Sequence, residues 1–148
     1  AEFVISGTQT GHLNQLTVTD FAHVIHTHYQ DNHIVSQGLA KPSSEALTHA
    51  AVYQAKPELN AVIHVHSPAI WQLTAELQLA ATPASVSYGT VAMAEAVSQL
   101  LQQQADCRIF TLLGHEDGIV SCGRDLDEAG LYLVQTLALA LARASCST

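Results

Sequence analysis

The sequence predicts an α/β/α fold, in which helices flank a central, mostly antiparallel β-sheet. Short β-branched runs alternate along the chain with longer stretches of helical period. The two clearest pairs of strand-like runs are each joined by a tight turn, which favours antiparallel pairing. The sequence contains neither GxGxxG nor GxxxxGK[ST], so a doubly wound nucleotide-binding sheet is not supported.

Length and composition limit the possible partners. The chain has 148 residues, of which 48% are hydrophobic, so we expect residues 1–148 to form a single domain with one core. The formal net charge of −8 argues against nucleic acid and anionic membranes as partners, because both need a positive surface. Small molecules and other protein chains remain as possible partners. Since only 12% of the residues are charged, we expect a homo-oligomer.

Cysteine usage and hydropathy bear on the compartment. Cys107, Cys122 and Cys146 are odd in number and lack CxxC spacing, which indicates reduced thiols in a cytoplasmic protein. No continuous apolar stretch approaches the roughly eighteen residues of a membrane span, and no leader pattern opens the chain. The chain starts without Met in a strand-like run, so we expect that it lacks an N-terminal segment.

The first third of the chain predicts strands. Phe3–Ser6 is short, apolar and partly β-branched, and a loop rich in Gly and Thr follows it. Residues alternate from Val24 to His28 as in a half-exposed strand. The sequence "QDN" at 30–32 then predicts a hairpin turn into a third strand, "HIVSQG".

The middle third begins with a helical period. Ser43 and Ser44 after a proline predict a helix cap, with Glu45 in the first turn and the helix end near Lys56. "NAVIHVH" then reads as a buried strand. The Ser-Pro pair after it predicts a second helix, which we expect to run to Leu77.

The last third combines two helices with a hairpin. Residues 81–90 hold a short strand at best, and an amphipathic helix follows. Arg108–Leu113 predicts a strand, "GHEDG" a tight turn and "IVSC" the returning strand. The last helix is predicted from Leu126 to Ala144, with a dense apolar stripe.

Two histidines stand at the end of the strand in the middle third. His64 and His66 are residues i and i+2 of that strand, so both imidazoles project to the same side of the sheet. This is the geometry of two adjacent metal ligands. The alternative is a pair of hydrogen-bonded histidines at a strand end. His26 and His28 have the same spacing but polar neighbours. We therefore prefer His64 and His66, which lie in an apolar strand, as the ligand pair.

A third ligand has to come from another part of the chain. His115 ends a separate apolar strand, in a Gly-bounded turn that can aim a side chain at a neighbouring strand end. Glu116 and Asp117 offer oxygen donors in the same turn. The alternative is an ordinary hairpin turn whose polar residues face water.

The helix start around Glu45 allows two interpretations. Two serines and an acid make an ordinary N-cap with a favourable charge at the positive end of the helix dipole. The same helix end also presents backbone N–H groups and the hydroxyls of Ser43 and Ser44, which together could hold a phosphate. A carboxylate beside a bound phosphate and a metal could then accept a proton.

Three stretches, in this order, resemble the class II aldolase/adducin family. They are "FVISGTQTGHLNQLT", "KPSSEALTHAAVYQAKPELNAVIHVHSPAIW" and "LLGHEDGIVSCGRDLDEAGLYLVQTLALA". The likeness runs from Phe3 to about Ala142, and its middle stretch is the most specific. It implies an α/β/α fold with a central antiparallel sheet, and a homotetramer with active sites between subunits.

The resemblance also implies a site and a reaction. It implies Zn²⁺ or another divalent metal on His64, His66 and a third histidine; in the family that histidine directly precedes the glycine, where this chain has Asp117, so His115 and Asp117 both stay open. It implies Glu45 as acid/base. Substrate phosphate would bind residues of the cap and the first loop: Ser43, Ser44, Gly7 and Thr8. A tyrosine contributed across the subunit interface receives no assignment.

We therefore expect a zinc-dependent aldolase-type lyase of carbohydrate metabolism. Its substrate would be a small hydroxylated carbonyl compound or sugar phosphate, cleaved through a metal-stabilised enediolate. An epimerase or dehydratase could use the same site. The alternative from another class is a non-catalytic, adducin-like oligomerising domain, which would have no need of the retained acid and histidine pair.

Overall fold

A computed structural model describes residues 1–28, 30 and 32–146 of the chain. Its strands are β1 Phe3–Ser6, β2 Phe21–His28, β3 His33–Gln37, β4 Ala61–His66, β5 Ala80–Thr82, β6 Ile109–Leu112 and β7 Gly118–Gly123. Its α-helices are α1 Ala46–Ala55, α2 Pro68–Trp71, α3 Val91–Gln103 and α4 Leu126–Cys146.

The strands form two sheets. One is antiparallel with the order β1-β2-β3, and the other has the order β4-β7-β6-β5. In the second sheet only β5 and β6 run parallel; β4 with β7 and β6 with β7 are antiparallel. A single bridge between Gly7 and Pro42 joins the end of β1 to the segment before α1. The predicted helix-flanked, mostly antiparallel fold is confirmed, with its strands divided between two sheets.

Helices cover both faces of the second sheet. Val120 on β7 belongs to the same buried cluster as Leu47 of α1 and Val97 of α3. Its neighbour Ile119 packs on the other side with Ile70 of α2. Adjacent residues of a strand point to opposite faces, so this alternation separates the two helical layers. The layers hold the sheet, and with it the ends of β4 and β7, in a fixed position.

Both predicted hairpins can be compared with the structure. In the second one, β6 and β7 pair antiparallel with Ile109 opposite Ser121, as expected. In the first one, β2 and β3 pair antiparallel with His28 opposite His33. The predicted "QDN" turn includes Asp31, which lies outside the described residues.

The second helix is much shorter than predicted. α2 ends at Trp71 instead of Leu77 and gives way to turns. The hydroxyl of Thr74 donates to the carbonyl of Trp71 at 2.7 Å, and the backbone N–H of Thr74 reaches the same carbonyl. A threonine side chain that bonds the backbone in this way competes with helix continuation. Gln78 then adopts a φ of 55°, which turns the chain into β5.

The start of α1 also differs slightly from the prediction. Glu45, not a serine, occupies the residue before the first helical residue, and its side chain makes no capping bond. The helix ends at Ala55, with Lys56 as the C-terminal flanking residue, as predicted. Glu45 is consequently the last residue before the helix begins.

One side of α4 is apolar and exposed. Leu131, Val134 and Leu141 are each more than half exposed, and Ala129 and Ala140 are buried against the rest of the protein. Among the described residues α4 is the one helix long and apolar enough to cross a membrane, by length and composition only. The prediction of no span rested on an uninterrupted apolar run, which Gln135, Thr136 and Arg143 interrupt here.

Candidate metal centre and cleft

Three histidines from two strand ends meet at one point. His64 and His66 are among the last three residues of β4, where they pair with Val120 and Gly118 of β7. His115 lies in the turn between β6 and β7. One ligand atom from each of the three lies within 4.8 Å of the other two. The structure thus brings together His64, His66 and His115, whereas neither Asp117 nor Glu116 belongs to the group.

The three imidazole rings lie close together. Their centroids are 5.1 Å apart for His64 and His66, 5.0 Å for His64 and His115, and 4.6 Å for His66 and His115. The rings of His64 and His66 lie on the same side of β4, but their planes are 71° apart. Backbone alternation determines on which side of the strand each ring lies, and the side-chain torsions then determine the orientation of the ring planes.

The turn around His115 is shaped by two glycines. A Cβ added to Gly114 would lie 1.7 Å from the carbonyl oxygen of Val86. A Cβ on Gly118 would lie 3.1 Å from the ring of His115. The carbonyl of Asp117 accepts a 2.8 Å bond from the backbone N–H of Ser67. This bond ties the turn to the end of β4 and brings His115 to the histidine pair.

A buried carboxyl adjoins the histidines. Glu45 is 1% exposed, and its Oε1 lies 3.5 Å from Nδ1 of His115. The hydroxyl of Thr48 donates to the other oxygen, Oε2, at 2.8 Å. Burial raises the pKa of Glu45 and lowers the pKa of His115. Although the distance would allow an ion pair, both shifts favour the neutral forms.

Burial favours the neutral form of His64 and His115, which is the form of histidine that binds a metal ion. Burial, followed by the proximity of His115, His66 and His49, lowers the pKa of His64 to about 3. Among the described residues, four buried side-chain polar atoms have no hydrogen-bond partner. Three of them are in this site: His64 Nε2, His115 Nδ1 and Glu45 Oε1. Two neutral imidazoles with unpartnered nitrogens, beside a third imidazole, fit a divalent cation such as Zn²⁺ with a coordination position left open.

A cleft of about 730 Å³ opens above the histidines. It is lined by most of the candidate ligands and substrate-binding residues predicted from the sequence, namely Gly7, Thr8, Ser43, Ser44, Glu45, His64, His66 and His115, but not by the alternative ligands Glu116 and Asp117. The loop after β1 forms its opposite wall and adds His12, to which the sequence assigned no role. The three histidines and the carboxyl of Glu45 therefore border one space.

The backbone N–H groups in this cleft are less available than predicted. Gly7 N–H donates to Asp20, Thr8 N–H to Lys41 and Ser43 N–H to Ser6, all at 2.7–3.1 Å. The N–H of Glu45 donates to Ser43 Oγ. At the helix start, the N–H groups of Ser43 and Glu45 are therefore already engaged and are not among the free groups expected there. The cleft also offers the side-chain hydroxyls of Ser43, Ser44 and Thr8 as donors.

A larger cavity of about 810 Å³ lies against β1 and β4. It is lined by His49, Tyr53 and Asn60 and touches only His64 of the cluster. Because the other two histidines and Glu45 do not line it, we assign the site to the smaller cleft.

Two neighbours of the site were missed from the sequence. The ring of Tyr88 stacks on that of His115, with centroids 4.3 Å apart and planes at 19°. Tyr88 lies between β5 and α3, and no local sequence pattern reveals its contact with His115. Thr48 stands three residues after Glu45 on the same helix, a spacing at which side chains meet. That signal was present in the sequence.

Of the second histidine pair, only His26 can be compared, and it is not part of this cluster. His26 is exposed on β2, in the other sheet. The side chain of His28 lies outside the described residues.

Comparison with known proteins gives a consistent result. A family described as "Class II Aldolase and Adducin N-terminal domain" matches residues 2–142. L-fuculose phosphate aldolase of Haemophilus influenzae is 33% identical over 107 residues, covering 64% of this chain and 48% of that protein. The enzyme of the same name from Methanococcus maripaludis is 30% identical over 96 residues, covering 60% and 53%. The chain thus spans about half the length of these relatives.

Two solved structures share the fold. An L-fuculose 1-phosphate aldolase has a TM-score of 0.68 at 18% identity, over 97% of this chain and 68% of that one. YgbL from Escherichia coli, described as a candidate aldolase/epimerase/decarboxylase, has a TM-score of 0.61 at 23% identity, over 96% and 77%. At these identities the likeness is one of fold.

Proposed function

Because the chain belongs to the class II aldolase and adducin family, we propose that it is a metal-dependent, aldolase-type lyase acting on a small hydroxylated carbonyl compound or sugar phosphate. The observation that carries the proposal is the group of three histidines with a buried carboxyl 3.5 Å from one of them. The relatives it resembles are named as L-fuculose phosphate aldolases. We assign residues 1–148 to one domain of this enzyme, in the cytoplasm.

We assign the metal to His64, His66 and His115. A divalent ion, Zn²⁺ first among the candidates, would supply Lewis-acid stabilisation of the enediolate left by carbon–carbon cleavage. The protein's own contribution is to hold three imidazoles in place. His66 is exposed toward the cleft, and the other two are more buried, so substrate approaches from the His66 side.

Glu45 is the proposed acid/base. Burial raises its pKa, which brings a carboxyl closer to the range in which it can both accept and return a proton near neutral pH. Its Oε1 has no hydrogen-bond partner and is the atom we assign to proton transfer. Oε2 is already engaged by Thr48.

The hydroxyls of the cleft are the proposed substrate donors. Ser43, Ser44 and Thr8 line the cleft, and Gly7 lets the loop approach closely, since a Cβ added to it would lie 3.0 Å from the Cβ of Ala40. Serine and threonine hydroxyls can bind a phosphate or a sugar hydroxyl. The proposal therefore includes phosphorylated and unphosphorylated substrates.

The exposed side of α4 supports a homo-oligomer. Leu131, Val134 and Leu141 form a continuous apolar strip on this helix, with Arg143 as the one charged residue after Glu128. An apolar strip of this kind is typical of a subunit interface. We propose a second copy of this chain as the partner; a tetramer is the assembly implied by the family.

The decisive experiment measures metal and chemistry together. Purified protein is analysed for bound metal and then assayed for exchange of the α-protons of hydroxyacetone and of dihydroxyacetone phosphate with D₂O, followed by NMR. We expect about one divalent ion per chain, and exchange that is lost in Glu45→Gln. A metal-free protein without exchange would favour the non-catalytic oligomerising domain.

A ketose phosphate panel then separates the reactions. Release of an aldehyde identifies the lyase. A rearranged sugar without aldehyde release would replace it by an epimerase, and loss of water would replace it by a dehydratase.

A further inference from the structure

We infer that Thr48 is a positioning residue, whose hydroxyl fixes Glu45 so that only one carboxyl oxygen faces the histidine cluster. This inference rests on the proposed function. Its basis is the juxtaposition of a buried threonine, a buried carboxyl and a histidine of the cluster.

The contact is local and well isolated from water. Thr48 and Glu45 are each 1% exposed, and Thr48 Oγ1 donates to Glu45 Oε2 at 2.8 Å. The two residues are three apart at the beginning of α1, so the helix itself sets their distance. Because both residues are almost fully buried, the bond is well shielded from solvent, which favours a persistent geometry.

The bond divides the two carboxyl oxygens between different tasks. Oε2 is held by the hydroxyl, and Oε1 has no hydrogen-bond partner and lies 3.5 Å from Nδ1 of His115. A free carboxyl could turn about its last torsion and exchange the two oxygens, because that torsion has a broad preference. The threonine hydroxyl removes this freedom, and Oε1 stays aimed at the space where the substrate carbon would lie.

The consequence for catalysis is one of geometry. A displacement of about 1 Å in a catalytic group can lower the rate about a hundredfold. The three histidines do not depend on Thr48 for their positions, because they are held by β4 and by the β6–β7 turn. Loss of the hydroxyl should therefore reduce proton transfer and leave metal binding intact.

The test uses two substitutions and a matched control. Thr48→Val removes the hydroxyl at nearly constant size, and Thr48→Ser retains it. Thr111→Val removes a hydroxyl of comparable burial outside the cleft, where Thr111 bonds Thr74 at 2.9 Å. Each protein is stripped of metal, titrated with Co²⁺ by visible absorption, and assayed for hydroxyacetone α-proton exchange.

We expect Thr48→Val to lower the kcat of exchange about tenfold or more, as for a misplaced catalytic group, with its KM and the Co²⁺ spectrum close to those of the wild type. Thr48→Ser should recover most of the rate, and Thr111→Val should keep it. Equal rates in Thr48→Val and the wild type would overturn the inference. So would equal losses in Val and Ser, or loss of Co²⁺ binding in Thr48→Val.

The same experiment distinguishes the two proposals. A wild-type protein that neither binds Co²⁺ nor exchanges protons removes the proposed function and the role of Thr48 with it. A wild-type protein that does both, combined with an unaffected Thr48→Val, removes the role of Thr48 alone.

Discussion

Glu45 Oε1 lies 3.5 Å from His115 Nδ1, and neither atom has a hydrogen-bond partner. A buried polar atom without a partner costs about 1–3 kcal/mol of folding free energy. Two such atoms facing one another, with His64 Nε2 unpartnered nearby, form a site that gains free energy when a cation satisfies the imidazoles. The free energy of unfolding should therefore be lower for the metal-free protein than for its metal complex.

The first prediction follows from this difference. Zn²⁺ at about a hundredfold excess over its Kd should raise the free energy of unfolding by about 2.7 kcal/mol, because it binds the folded state selectively. Differential scanning fluorimetry measures the rise in Tm. His64→Gln should abolish it, and His33→Gln, an exposed histidine of β3, should leave it unchanged. The same rise in His64→Gln would remove the metal assignment.

The second prediction concerns acid. Burial lowers the pKa of His49 to about 4, below its value of about 6.5 in the unfolded chain. Between these two values the unfolded state holds more protons, so stability falls as the pH falls from 6.5 toward 4. This histidine alone should cost about 3 kcal/mol across that window.

Urea unfolding between pH 7 and 4.5, without metal, tests the effect of His49. His49→Gln, which does not titrate there, should show a flatter dependence on pH than the wild type. Glu45 acts in the opposite direction, because its raised pKa makes the folded state hold more protons just above pH 4.5. Identical slopes for the two proteins would contradict the role of His49.

The histidine pair could be predicted from the sequence because strand alternation is a local rule. His64 and His66 needed only their spacing and their apolar neighbours. His115 required a tertiary argument, in which a turn after one strand reaches the end of another. The choice between His115 and Asp117 stayed open, since the turn geometry depends on Gly114 approaching Val86 and on the Ser67–Asp117 bond.

Other features were beyond the sequence for similar reasons. The early end of α2 depends on Thr74 bonding a nearby carbonyl, which the helical period of its apolar residues conceals. The stacking of Tyr88 on His115 joins residues far apart in the chain. In both cases the deciding contact is a tertiary or side-chain interaction that leaves no periodic pattern.

The third prediction concerns the glycine that precedes His115. Gly114→Ala would place a methyl group 1.7 Å from the carbonyl oxygen of Val86, so the turn must shift. We expect loss of zinc affinity and destabilisation by about 2 kcal/mol or more, as for other strained sites. Gly130→Ala is the matched control, because its Cβ meets nothing within 4 Å. On a helix it should stabilise by about 0.5–1 kcal/mol. Isothermal titration calorimetry and urea unfolding provide the two measurements.

The fourth prediction tests the exposed strip of α4. Val134 is 66% exposed, so a charge there costs little in an isolated chain but is costly when buried between two copies. Val134→Glu should therefore reduce the molar mass measured by light scattering to that of a smaller species. Gln135→Glu, on the neighbouring exposed position, adds the same charge as a control. An unchanged mass in Val134→Glu would show that this strip is not the interface.

The fifth prediction uses the ring that lies against His115. Tyr88 and His115 stack at 4.3 Å, and an aromatic pair contributes about 0.5–1.5 kcal/mol beyond the area it buries. Because Tyr88 is 53% exposed, its removal should not affect the fold, but it frees the ring of His115 to leave its position. Tyr88→Ala should weaken zinc binding about two- to twelvefold, the equivalent of that stacking energy. Tyr88→Phe keeps the ring and should bind as the wild type does; competition with a chromophoric chelator measures both. If Phe weakened binding as much as Ala, the hydroxyl and not the stacked ring would be the group that matters.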